Sequence, residues 1–166
     1  MTDRHFPSIA ALLDDGVRRF ADLPSHVVGP SGETSVSLGE LWGDAGALAA
    51  DLVRLGAQPG DVIAFQIPTW REGAVAFYAA LSLGAVALPL VYVYGTSEIE
   101  WILADAKASF FMIAPASDRA VAEERAATAC GVPSIKSVLC IEREGTGISW
   151  SVVGAGAGDL GPGGLA

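Results

Sequence analysis

The feature that most constrains the fold is an alternation of extended and helical segments that begins after residue 57. Short apolar segments typical of buried strands occupy residues 62–67, 86–94, 110–113 and 135–141. Between them lie segments whose apolar residues recur at helical spacing. This alternation predicts an α/β fold, in which a mostly parallel sheet is covered by helices on both faces.

A helix and a small hairpin are predicted ahead of the sheet. Ser8 can cap a first helix with one apolar stripe. Residues 26–28 and 34–36 flank a Gly-Pro-Ser-Gly turn, which predicts a hairpin. Ser37 and Glu40 then have the spacing of a capping box, in which each side chain satisfies a free backbone N–H at a helix start.

The later helices also begin with capping signals. Thr69 with Glu72 and Ser97 with Glu100 match the capping-box spacing, and Ser117 can cap the last helix. These signals predict where each helix of the alternating region starts.

An uncharged run of 25 residues, 73–97, has the length of a membrane span. Gly84 divides it into an alanine-rich half, predicted to be helical over residues 74–83, and a β-rich half, predicted to be extended over residues 86–92. Pro89 cannot donate to a sheet, which suits a strand end or an edge. Helix, turn and strand is the favoured interpretation, and a membrane span is the alternative.

Charge argues against a nucleic-acid partner, because the net charge is −9 and no Lys/Arg cluster is present. Only 17% of the residues are charged, against about 25% in an average soluble domain. Two explanations remain open, an alanine-rich sequence bias and a surface that docks on another protein segment.

Metal and targeting signals are weak. Cys130 and Cys140 do not have the spacing of metal ligands, and His5 and His26 are distant from them in the sequence. No metal site is therefore predicted. Both thiols are expected to be buried. The amino terminus has no apolar core of a secretory signal. A cytoplasmic protein is therefore expected.

Candidate site residues follow from the parallel sheet, because ligands of open α/β sheets bind beyond the carboxyl ends of the strands. Thr69, Trp70, Tyr92, Tyr94 and Thr96 fall in such loops and are candidates to line a hydrophobic substrate channel. The alternative is that the large aromatic side chains, including that of Trp101, fill the core.

No catalytic or cofactor-binding residue can be assigned. Residues 156–161 match Gly-x-Gly-x-x-Gly, but Pro-Gly-Gly follows instead of a helix, so residues 151–166 are interpreted as a glycine-rich linker or tail and residues 1–150 as the α/β part. Lys107 and Lys136 do not follow glycine, which excludes a Walker A motif, and no nucleophile-elbow pattern is present.

Several consecutive segments resemble the amino-terminal subdomain of AMP-forming acid–CoA ligases, an adenylate-forming family. They are residues 60–64, 68–72, 79–90, 98–99 and 102–108, in the family's order and spacing. Two departures occur: Pro68-Thr69 replaces the frequent Pro-Asn, and Val91-Tyr92 replaces the common Asn-Pro. The similarity covers most of residues 9–150.

The resemblance implies a two-step reaction in which a carboxylate attacks ATP to form an acyl-adenylate, and the thiol of CoA then displaces AMP. It implies ATP, magnesium and CoA for a complete enzyme. The family's phosphate loop, magnesium motif, ribose-binding aspartate and catalytic lysine do not occur in residues 1–166. The chain is therefore expected to be an inactive fragment whose partner is the missing remainder of the ligase, or a second copy that covers an exposed apolar face. A free-standing α/β binding module is the alternative.

Overall fold

A five-stranded sheet lies at the centre of the computed structural model, which describes residues 6–29, 32–114, 119–144 and 147–154. The helices are α1 (Ile9–Phe20), α2 (Leu38–Arg54), α3 (Arg71–Ser82), α4 (Thr96–Asp105) and α5 (Arg119–Cys130). The strands are β1 (Pro24–Gly29), β2 (Gly32–Ser37), β3 (Val62–Gln66), β4 (Val86–Pro89), β5 (Phe110–Ile113), β6 (Ser137–Glu144) and β7 (Gly147–Gly154).

The strand order across the sheet is β4-β3-β5-β6-β7. The first four of these strands run parallel, whereas β7 returns antiparallel along β6. β1 and β2 form a separate antiparallel hairpin. The predicted α/β fold class, with a leading helix, a small hairpin and a mostly parallel sheet, is confirmed.

Helices cover both faces of the sheet. On one face, α2 and α3 contribute Leu48 and Val75 to a core that also contains Phe110. On the other face, α4 and α5 pack on a second core that contains Leu103 and Phe111. Successive residues of a strand point to opposite faces, which is why neighbouring Phe110 and Phe111 enter different cores.

Two predicted helix starts are confirmed. Ser8 Oγ accepts a hydrogen bond from the Ala11 N–H at 3.1 Å. The Glu40 N–H donates to Ser37 Oγ at 3.2 Å, and the Ser37 N–H donates to Glu40 Oε2 at 2.8 Å, which completes the capping box of α2. The predicted cap Ser117 lies outside the described residues.

The other two predicted capping boxes are wrong. The N-cap of α3 is Trp70, which has no side-chain cap, so Thr69 lies one residue too early to cap the helix. α4 begins before Ser97, because Glu98 Oε2 accepts from the Gly95 N–H at 3.1 Å and stabilises an earlier first turn. Each helix therefore starts within two residues of its predicted position.

The uncharged run forms a helix, a turn and a strand, as predicted. Gly84 has a φ of 68°, which glycine adopts without steric cost. Pro89 is the last residue of β4, an edge strand of the sheet. β4 ends earlier than predicted because the Tyr94 N–H donates to Val91 O at 3.1 Å and closes a turn. None of the helices in the described residues is both long and apolar enough to cross a membrane.

β7 was not apparent in the sequence pattern. It crosses residue 150, so residues 151–154 belong to the sheet although they were predicted to lie in the tail. The remaining predicted tail, residues 155–166, lies outside the described residues, and the domain limits stay a prediction. Cys130 is exposed at the end of α5 and Cys140 is half-buried, so the expectation of two buried thiols is wrong.

Candidate functional site

The carboxyl ends of the parallel strands meet at one edge of the sheet, called here the carboxyl edge. The chain leaves β3 through residues 67–70 and leaves β4 through residues 90–95, the β4–α4 loop. Because α3 and α4 cover opposite faces, these two connections diverge. Open α/β sheets bind their ligands beyond this edge, at the point where the strand order reverses, which here lies between β3 and β5.

The predicted site residues are divided between these two connections. Tyr92 is half-buried and Tyr94 is exposed in the β4–α4 loop, and Thr96 is the first residue of α4. Thr69 is exposed, whereas Trp70 is half-buried against the core beneath α2 and α3. The β4–α4 loop and the first residue of α4 thus place three of the candidates on one short segment, and their role in a substrate channel stays a prediction.

Gln66, the last residue of β3, was not singled out by the sequence. Its side chain is almost fully buried, with 1% of its surface exposed. Gln66 Nε2 donates to Val91 O at 3.0 Å and to Tyr94 O at 3.1 Å. Gln66 Oε1 is buried and has no hydrogen-bond partner. A buried amide at the end of β3 therefore holds the β4–α4 loop from the side of the sheet.

Arg125 of α5 contacts the same loop from the side. Arg125 Nη2 donates to Tyr92 O and to Tyr94 O, each at 3.2 Å. Its guanidinium also lies over the Tyr92 ring, 5.0 Å from the ring centroid, within the range of a cation–π interaction. Tyr94 O consequently accepts from both Gln66 and Arg125.

Apolar side chains are exposed on the β4–α4 loop and on α4, which follows it. Val91, Val93 and Trp101 have 54%, 82% and 68% of their surfaces exposed. Trp101 and Tyr94, together with polar side chains at the start of α4, line an open groove. The interpretation of Trp101 as a core residue is wrong, because α4 turns Ile99 and Leu103 towards the sheet and leaves Trp101 facing outwards.

The opposite, amino edge of the sheet holds a polar cluster. Lys136 Nζ contacts both carboxylate oxygens of Asp61, and Ser109 Oγ and the Gln58 N–H also donate to that carboxylate. Burial raises the pKa of Asp61, but the hydrogen bonds from Lys136, Gln58 and Ser109 outweigh it, so the pKa lies below its ordinary value. Because the cluster joins the starts of three strands, its role is structural.

The acidic and cationic side chains of the described residues determine whether a metal ion or a phosphate could be held at this edge. No group of three or more His, Cys, Asp or Glu side chains among them could hold a metal ion. The two arginines of α5 already have partners, since Arg119 pairs with Glu123 and Arg125 holds the loop. The carboxyl edge therefore offers a positioned loop and an apolar surface.

Comparison with known families matches residues 13–157 to the family described as AMP-binding enzyme. Over 67 residues the chain is 39% identical to the medium-chain fatty-acid–CoA ligase of Escherichia coli (strain K12), an alignment that covers 40% of this chain and 12% of that ligase. The chain thus spans only a small part of this relative.

Solved structures agree with this similarity. The ATP-bound MatB of Rhodopseudomonas palustris is 27% identical, with a TM-score of 0.64 over 80% of this chain and 25% of that one. The N-terminal domain of FACL13 from Mycobacterium tuberculosis has the same fold, with a TM-score of 0.70, 24% identity and coverage of 81% and 34%. The chain therefore matches the amino-terminal portion of a much larger architecture.

Proposed function

The chain belongs to the family of AMP-binding enzymes, and we propose that it is the amino-terminal subdomain of an ATP-dependent, AMP-forming acid–CoA ligase. In the complete enzyme, a carboxylate and ATP form an acyl-adenylate, which CoA converts to acyl-CoA. The observation that carries the proposal is the family match over residues 13–157. The alignment with the Escherichia coli ligase covers only 12% of that enzyme, as expected for one of its parts.

The surface at the carboxyl edge supports this assignment. Val91 and Val93 are exposed on a loop that is fixed from two sides, and Trp101 is exposed on the helix that follows it. Large exposed apolar groups beside a rigid segment are typical of a docking surface. Within one chain, such surfaces bury about 600–1,500 Å². The proposed occupant is the remainder of the ligase, and self-association covers the same surface when the remainder is absent.

The described residues do not themselves fit the cofactors. Magnesium needs oxygen ligands arranged around one point, and the acidic side chains of the described residues form no such group. ATP needs cations or free backbone N–H groups for its phosphates. Arg119 and Arg125 at this side of the sheet are engaged in other contacts. ATP, magnesium and CoA are therefore assigned to the remainder of the enzyme, and a polypeptide of residues 1–166 is inactive alone.

Substrate and location follow as parts of the same proposal. The medium-chain fatty-acid–CoA ligase of Escherichia coli is 39% identical over the aligned residues, which supports a fatty acid as the carboxylate substrate. A reaction that consumes ATP and CoA supports an intracellular location, and the cytoplasm is the location proposed.

The reading frame after codon 166 provides a direct test. We expect it to continue into a Ser/Thr/Gly-rich phosphate loop that ends in Pro-Lys-Gly. Equilibrium dialysis of the 166-residue chain with ATP should then show no binding, whereas the extended protein should bind ATP. A stop codon together with a specific ligand for the 166-residue chain would favour the free-standing binding module.

A further inference from the structure

Gln66 occupies a position where the sheet otherwise carries apolar side chains. The three residues before it in β3 are buried and apolar, and Gln66 is itself buried. A buried amide is unfavourable unless all its polar atoms are satisfied. Here only the amino group is satisfied, because Oε1 has no partner. Core stability alone therefore does not explain a glutamine at this position.

The partners of the amide suggest what it does. Val91 O and Tyr94 O lie at the two ends of a single turn, since the Tyr94 N–H also donates to Val91 O at 3.1 Å. By bonding both carbonyls, Gln66 fixes the span of that turn. These contacts join residues 25 and 28 positions apart in the sequence, so the turn is tied to β3 as well as to its own neighbours.

Arg125 supplies a second and independent restraint. It bonds Tyr92 O, which Gln66 does not contact, and shares Tyr94 O with Gln66. A planar guanidinium can direct two donors at once and stack on an aromatic face. The cation over the Tyr92 ring fixes that side chain as well as the backbone. The turn is therefore held from β3 and from α5, two elements that pack in the same core.

We propose that Gln66 and Arg125 are positioning residues that clamp the β4–α4 loop and present Tyr94 at the carboxyl edge in a preformed conformation. The assignment of this edge to the substrate and docking side rests on the proposed function. The clamp itself deepens that function, because a preformed loop avoids the ordering cost that a flexible loop incurs on binding.

Amide hydrogen exchange of the 166-residue chain tests the clamp. The reporter is the Tyr94 N–H, which is bonded within the turn, and the reference is the Ala108 N–H, which is bonded to Leu103 O at 2.9 Å at the far end of α4. Gln66→Met keeps the length and removes the donors, and Arg125→Gln removes the cation. Each should accelerate Tyr94 exchange about tenfold, the size expected when one or two net hydrogen bonds are lost.

Matched variants separate positioning from general stability. Arg119→Gln makes the same charge change on the same helix, at a side chain that pairs with Glu123, and should leave Tyr94 exchange unchanged. Arg125→Lys retains a cation but not the planar guanidinium, and should give a Tyr94 exchange rate between those of the parent and Arg125→Gln. In every variant the Ala108 rate should stay within about twofold of the parent, because local opening does not involve α4's far end.

Equal acceleration of exchange at Tyr94 and Ala108 would mean that Gln66 and Arg125 serve global stability. Unchanged Tyr94 exchange in Arg125→Gln would overturn the clamp, even if Gln66→Met does not fold. These outcomes are independent of enzyme activity. If the extended protein proves to be no ligase while the local acceleration is observed, the clamp stands and only the assignment of the edge to a ligase substrate side is lost.

Discussion

Lys136 Nζ lies 2.7 Å from Asp61 Oδ2, although the two residues are 75 positions apart in the sequence. Asp61 precedes β3 and Lys136 precedes β6, and Ser109, just before β5, donates to the same carboxylate at 2.9 Å. The contact thus fixes the starts of three parallel strands relative to one another. Since only 16% of the Asp61 side chain is exposed, solvent screens this interaction less than that of a surface pair.

Replacement of Asp61 by Asn should destabilise the fold. The variant removes the charge that pairs with Lys136, and hydrogen bonds to charged groups contribute about 1.5–3 kcal/mol. We expect the free energy of unfolding in urea to fall by about 2 kcal/mol at pH 7. Arg119→Gln, which removes a cation from an exposed pair, is the control and should change stability by less than about 0.5 kcal/mol.

The same carboxylate should make stability depend on pH. The folded-state pKa of Asp61 is lowered, so its contribution is present above the unfolded pKa of about 3.9 and is lost as pH falls through the folded pKa. The difference in unfolding free energy between the parent and Asp61→Asn should therefore be constant from pH 7 to pH 5 and shrink below pH 4. A difference that grows on acidification would contradict the assigned direction of the shift.

Lys107 offers a stabilising substitution. Its φ is 51°, and it follows α4 at the position where glycine usually ends a helix. The Ala108 N–H bonds Leu103 O at 2.9 Å and the Lys107 N–H bonds Ala104 O at 3.2 Å, which is the Schellman pattern. Lys107→Gly should raise the unfolding free energy by about 0.5–1 kcal/mol, because glycine adopts positive φ without strain. Thermal unfolding measures both changes, and Gly56→Ala, at a φ of 89°, should lower the unfolding free energy instead of raising it.

Ser37 and Thr69 both match the capping-box spacing in the sequence, but their replacement by alanine should change stability by different amounts. Ser37→Ala removes an observed cap and should cost about 1 kcal/mol of unfolding free energy. Thr69→Ala should cost less than about 0.3 kcal/mol, since Thr69 is exposed and Trp70 is the N-cap of α3. Equal losses for both variants in denaturant titrations would show that Thr69 does cap α3 in solution.

The limits of sequence interpretation are visible in these residues. The α/β core was predictable because hydrophobic periodicity reports on burial locally, and the Ser37 cap because its partner is three residues away. The start of α4 was misplaced because Glu98 and Glu100 both have a suitable residue three positions earlier, and local pattern cannot choose between them. The clamp on the β4–α4 loop joins residues as far apart as 33 positions, and such contacts exist only once the sheet has formed.

The exposed apolar surface should promote self-association of the isolated chain. Val93 and Trp101 are 82% and 68% exposed. The double variant Val93→Ser/Trp101→Ser should raise the dimer dissociation constant in sedimentation at least about tenfold, because burial of each side chain contributes about 1.5 kcal/mol or more. Val28→Ser, at a 69% exposed position of the β1–β2 hairpin, is the control and should not change it.

Salt should strengthen that association, because a net charge of −9 on each chain opposes it and salt screens the repulsion. A monodisperse monomer that binds no hydrophobic dye at any salt concentration would argue against a fragment with an uncovered docking surface. It would favour the free-standing module instead.

Carboxylate-dependent exchange of labelled pyrophosphate into ATP measures acyl-adenylate formation directly. With ATP, magnesium and a medium-chain fatty acid, the 166-residue chain should give the rate of the buffer control, because the described residues form no metal site and the two arginines of α5 already have partners. The in-frame extended protein, assayed in parallel, should exchange. Exchange by the 166-residue chain, in a preparation free of full-length ligase, would contradict its assignment as the non-catalytic amino-terminal part of the enzyme.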